Sequence, residues 1–188
     1  MKRHLLALLF ATAVISAQAA EVHGVKLDDS AQVGDSALVL NGAGIRTKVV
    51  FKVYVGALYL AAKKTDAAAV LADTGAKRVS LHMLRSLSAE KLVHALDEGL
   101  EANNSAAELA AIEPQIKAFR QHMAAGGALK EGDVIVLDYV PSKGTQASLN
   151  GKALGITEGE AFNQALLKVW LGEYPVDADL KKAMLGGH

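Results

Sequence analysis

The chain has 188 residues, 51% of them hydrophobic, with 20 basic and 20 acidic residues, 5% aromatics and no cysteine. The missing cysteine excludes disulfide staples, thiolate metal sites and cysteine nucleophiles together, so the fold must rest on its hydrophobic core. With no basic stripe and few aromatic rings, the chain also lacks the footprint of a nucleic-acid binder.

The first elements concern targeting. MKRH is a short basic start, residues 5–17 (LLALLFATAVISA) are an apolar run too short to span a bilayer, and Ala17-Gln18-Ala19 is a small-x-small cleavage site. Residues 1–19 are therefore expected to be a signal peptide and residues 20–188 the mature domain, exported to a periplasm with no stable membrane anchor. Losing Lys2 and Arg3 shifts the charge balance to −2. What remains, about 170 residues, suits one domain.

EVHGVKL (21–27) reads as a first strand, and ALVLNGAG (37–44) as a short strand running into a glycine turn. From Arg46 to Leu60 the chain is strand material rich in Val, Phe and Tyr. The Ala-rich window from Asp66 to Ala76 reads as a short surface helix. RVSLHMLR (78–85) is another strand, with Val79, Leu81 and Met83 on one face and His82 on the other. From Ser88 the period changes: Leu92, Leu96 and Leu100 recur every four residues, as in an amphipathic helix. Ser105 and Glu108 form a capping box before a second helical stretch, which Pro114 interrupts and Gly126-Gly127 ends. Strands return at 133–140 and in a hairpin over 145–155 centred on Asn150-Gly151. Thr157 and Glu160 read as a further capping box. Phe162, Ala165, Leu166, Val169 and Trp170 follow at helical spacing to Gly172, and a last short helix runs near Asp177 to Leu185. Strands, helices, strands and helices in that order predict an α+β domain, an antiparallel sheet with helices mainly on one face.

Few residues offer chemistry. The six histidines (His4, His23, His82, His94, His122 and His188) show no HExxH or HxH spacing, so no metal site is expected. There is no GxSxG elbow and no Walker loop. Asn41-Gly-Ala-Gly44 lacks the third glycine of a dinucleotide fingerprint and precedes a strand, so no cofactor is expected. Arg46 admits two readings. With Lys48 and Lys52 at the same parity it marks a wet strand face; alternatively it anchors a ligand together with Tyr54. On a straight strand those two lie about 26 Å apart, and TKVVFK between them holds no Gly, Pro or Asn to mark a bend. Arg85 reads as surface, the alternative being a second cation near a binding cleft.

GAGIR followed by a strand ending GALYL resembles the N-terminal signature of the chalcone isomerase superfamily. ALLKVWLGEYPVDADLKKAML is similar to that family's last helix, Gly-Glu corner and closing helix, and SAEKLVHAL to the first helix of its helical layer. The likeness runs over about residues 35 to 186 and points to the bacterial, exported branch. It implies an open-faced β-sandwich with a large antiparallel sheet covered by a helical layer, and a hairpin that returns Tyr54 to Arg46. It places Arg46 at the family's substrate-orienting arginine and Tyr54 where fatty-acid-binding members hold a carboxylate. Ser88, Ala95 and Val169 fall where catalytic members have Tyr, Asn and Thr or Ser, and Trp170 follows. The resemblance thus implies a non-catalytic protein that binds a fatty acid or another small apolar acid. An intramolecular lyase and a partner-binding protein with a closed cleft, plugged by Trp170, are the alternatives.

Overall fold

A computed structural model describes residues 20–187; the predicted signal peptide, residues 1–19, lies outside them. A two-stranded hairpin, β1 (Ala20–Val22) and β2 (Val25–Leu27), precedes seven strands: β3 (Ser30–Val33), β4 (Ser36–Lys48), β5 (Phe51–Leu60), β6 (Lys77–Met83), β7 (Val134–Val140), β8 (Gly144–Leu149) and β9 (Lys152–Thr157). These seven form one open antiparallel sheet in sequence order, each strand paired with the next. The helices are α1 (Ala67–Leu71), α2 (Ala89–Asn103), α3 (Ala106–Ala111), α4 (Glu113–Ala125), α5 (Glu160–Leu171) and α6 (Ala178–Met184).

Both faces of the sheet are covered, unequally. The main core lies under the helices, where Leu58, Leu81, Met83 and Ile135 of the sheet meet Leu100, Phe119, Phe162 and Trp170. A smaller core on the opposite face joins Leu38, Val55, Ala57 and Tyr59 to Leu27 of the β1–β2 hairpin. That is the predicted open-faced sandwich. Val79, Leu81 and Met83 enter the main core as their alternation requires. His82 points the other way, within 3.3 Å of Ser80 Oγ, and burial lowers its pKa.

Several elements match the sequence reading. The Ser105–Glu108 capping box is present on α3, and Pro114 sits in the first turn of α4. Asn150 and Gly151 take positive φ of 50° and 79° in the β8–β9 turn.

Others differ. Residues 21–27 are two strands, because His23 and Gly24 take nearly the same φ pair, 51° and 78°, and close a hairpin. Thr157 ends β9 with its side chain buried, and Gly159 at φ 101° enters α5 with no side-chain cap, so the second capping box is absent. Gly42 and Gly44 belong to β4 rather than to a turn. They are glycines because α6 lies against them: a Cβ on Gly42 would stand 2.1 Å from the Ala183 carbonyl oxygen, and one on Gly44 2.6 Å from Ala183 Cβ. Asn41 fastens the far end of α6, its Nδ2 donating to the Met184 carbonyl at 2.7 Å.

Candidate binding cleft

The stretch from Arg46 to Leu60 does not run straight. β4 and β5 form a hairpin through Val49-Val50, which pairs Lys48 with Phe51 and Arg46 with Tyr54. Val49 holds φ at 62°, so a β-branched residue occupies the turn position that type II′ loops give to glycine. This is why no Gly, Pro or Asn announced the bend.

Two β-bulges then decide which way the pair faces. Leu40 pairs with Tyr59 but Gly42 with Leu58, so Asn41 is an extra residue on β4. Leu38 and Leu40 face the smaller core. Strict alternation would send Arg46 the same way; the extra residue turns Gly42, Gly44 and Arg46 toward the helices. A second bulge leaves Val53 unpaired between Tyr54 and Lys52. Tyr54 therefore shares the helix side with Arg46. Lys52, expected on that same face, instead approaches His23 on the opposite side, Nζ to Nδ1 3.4 Å.

Arg46 is 8% exposed and its Nε is buried with no hydrogen-bond partner. No described residue forms an ion pair with it. Its guanidinium carbon lies 5.6 Å from the centre of the Tyr54 ring, a cation–π contact. The Tyr54 hydroxyl accepts a 2.9 Å hydrogen bond from Trp170 Nε1, which leaves its own proton free to donate. Burial raises the Tyr54 pKa above 10, against the pull of Arg46 and of the Trp170 hydrogen bond, so the phenol is neutral at physiological pH. Beside them, Asp177 caps α6 by accepting from Leu180 N–H and reaches β4 by accepting from Thr47 N–H at 2.8 Å. The glycine track under α6 thus sets the end of that helix next to Arg46.

Two cavities meet at Arg46 and Ala95. The inner one, about 50 Å³, is lined by Tyr54, Val169, Trp170 and apolar residues of the main core. It has room for a few waters, about 15 Å³ each, or a group the size of a carboxylate. The outer cleft, about 630 Å³, runs between the β4–β5 hairpin and α2 and is lined by Phe51, Val53, Leu87, Ser88 and Leu129, among others. That volume falls within the range of small-molecule sites. Lys48, Arg85 and Lys91 also line it, against one carboxylate, Glu98. Arg85, expected at plain surface, is solvent-exposed but stacks 4.6 Å over the Phe51 ring on the cleft wall. The sequence offered no signal for this, since the contact depends on the hairpin. Ser88 lines the outer cleft and caps α2. Val169 and Trp170 line only the inner cavity. No cluster of metal-ligating side chains occurs among the described residues.

A family model described as chalcone isomerase-like matches residues 19–186. The chain belongs to the chalcone isomerase-like family. Among solved structures it is similar to a fatty-acid binding protein of Arabidopsis thaliana, at 16% identity and a TM-score of 0.66, over 86% of this chain and 92% of that one. No curated protein matches the chain. In this chalcone isomerase-like sheet the positions singled out by sequence do converge: Arg46, Tyr54, Ala95, Val169 and Trp170 border one inner cavity, with Ser88 at the outer cleft.

Proposed function

We propose that this chalcone isomerase-like protein is a non-catalytic carrier or sensor of a fatty acid or another small apolar acid, working in the periplasm after removal of residues 1–19. The acid group sits at Arg46, where the guanidinium and the free Tyr54 proton both donate, and the apolar chain lies in the outer cleft. One observation carries this reading: Arg46 is a buried cation with an unpaired Nε and no ion pair to a described carboxylate, on the floor of a cleft large enough for a ligand, the nearby Asp177 being engaged by the Thr47 and Leu180 amides. Buried charges are ordinarily paired, so such a site favours an anion from outside. Ala95 and Val169 offer no polar contact to a developing oxyanion, which leaves Arg46 and Tyr54 without the oriented network a ring-closing lyase needs.

The test is a titration of wild type and Arg46→Gln with fatty acids of increasing length and with the matching alcohols. Acids bind wild type and alcohols do not, and Arg46→Gln binds the acids about 10- to 100-fold more weakly, as loss of a charged hydrogen bond requires. Equal affinity of the two proteins would refute the assignment. Arg46-dependent conversion of a chalcone to a flavanone would restore the lyase reading.

A further inference from the structure

We propose that the tip of the β4–β5 hairpin is a membrane-docking element that inserts Val49, Val50 and Phe51 into the surface of an anionic phospholipid bilayer. Six large hydrophobic side chains are exposed among the described residues, and three of them are these consecutive residues, at 89%, 77% and 56%. Single exposed apolar side chains are ordinary, but a contiguous projecting group marks an interaction surface. Turn stability does not explain the group. Val49 holds φ at 62°, where glycine would be unstrained and a β-branched residue is an outlier. An apolar side chain is kept at the tip at the expense of the turn.

Charge selects the partner. Lys48 and Lys52 flank the tip in sequence. Arg85 stacks on Phe51, and Lys91 of α2 lines the same cleft as Val49 and Phe51. The acidic group lining that cleft is Glu98, also on α2, which lies 3.9 Å from His94. Three apolar side chains bordered by Lys48, Arg85 and Lys91 on the cleft side, with Lys52 on the other face of the hairpin, fit an interface whose headgroups are negative and whose interior is hydrocarbon. The same hairpin forms one wall of the outer cleft, so docking would bring the mouth of the cleft to the lipid. Docking and acid binding are measured separately and can fail separately.

The chain has no cysteine, so a single cysteine can carry an environment-sensitive dye. Residues 20–188, which contain the whole described fold, are prepared as Val50→Cys and, at the exposed β8–β9 hairpin, as Lys152→Cys. Vesicles of phosphatidylcholine alone, or of phosphatidylcholine and phosphatidylglycerol, are added to each. Emission at Val50→Cys shifts to the blue with phosphatidylglycerol vesicles and not with phosphatidylcholine alone, and Lys152→Cys stays unchanged. Unlabelled Val49→Gly/Val50→Ser binds these vesicles at least about tenfold more weakly, the expected loss from removing two valines from lipid. It melts no lower than wild type, because the turn strain is relieved, so a fold defect cannot mimic the result. Lys48→Glu/Lys52→Glu lowers binding by about fivefold per cation removed. Absence of a shift at Val50→Cys, or wild-type binding by both tip variants, would overturn the proposal. Concentration-dependent dimerisation lost in Val49→Gly/Val50→Ser, without vesicle binding, would overturn it in favour of a second copy of the chain.

Discussion

Arg46 is the residue on which the site turns. An arginine among apolar side chains with an unpaired Nε is held against its desolvation cost, which a ligand anion would offset. Removing the charge should therefore weaken ligand binding without weakening the fold: Arg46→Gln is expected to match or exceed wild type in urea denaturation, in the absence of ligand. A loss of about 2 kcal/mol or more would instead show a structural cation whose partner matters to folding. Tyr54 gives a second residue-scale expectation. Burial raises its pKa above 10 in the folded chain, so the unfolded chain loses this proton first. The resulting stability is complete below pH 10 and is lost as pH rises through the folded value. Tyr59 and Tyr139 are raised too, again chiefly by burial, and act with the same sign. Tyr54→Phe removes one of the three, so stability should fall less steeply above pH 10, by about 1.4 kcal/mol per pH unit at most. Urea midpoints of both proteins on either side of that pH measure it. An unchanged slope would place the titration elsewhere.

Among the elements, α6 and the glycine track of β4 control the geometry around Arg46. A methyl on Gly44 collides with the Ala183 methyl, whereas one on Gly42 collides with the Ala183 backbone oxygen. Gly44→Ala should cost about 1–3 kcal/mol by overpacking. Adding Ala183→Gly should recover much of that loss for Gly44→Ala but little for Gly42→Ala. Equal recovery in both backgrounds would contradict the packing described here. The track also illustrates what a sequence alone conceals. Asn-Gly-Ala-Gly has the composition of a turn, and only the helix lying on it, from 140 residues downstream, explains the glycines within a strand. The Asn150-Gly151 hairpin and the Ser105–Glu108 cap were legible because local backbone chemistry fixes both. Val49-Val50 was illegible because its turn runs against local preference. The facing of Arg46 was illegible because one bulge residue, Asn41, reverses the alternation that sequence counting assumes.

For the whole molecule, the α+β class and the two-layer design followed from the switch between periods of two and about four residues, whereas the convergence of Arg46 with Tyr54 needed the family likeness. The two cavities at Arg46 could not be read from residues at all, since they arise from how the hairpin, α2 and α5 meet. Their sizes bear on the closed-cleft alternative. The inner cavity that Trp170 and Tyr54 help to line is only about 50 Å³, but the outer cleft reaches the same arginine. A ligand that binds only the folded chain should then raise its melting temperature, by about 5–10 °C at a hundredfold excess over Kd for a domain of this size, and should leave Arg46→Gln nearly unmoved.

The most direct measurement is native mass spectrometry of the protein purified from its own host cells, beside Arg46→Gln prepared in the same way. Anchoring of an acid at Arg46 predicts an added mass on wild type that releases an aliphatic acid on denaturation and is missing from Arg46→Gln. The same acid at the same occupancy on both proteins would contradict it.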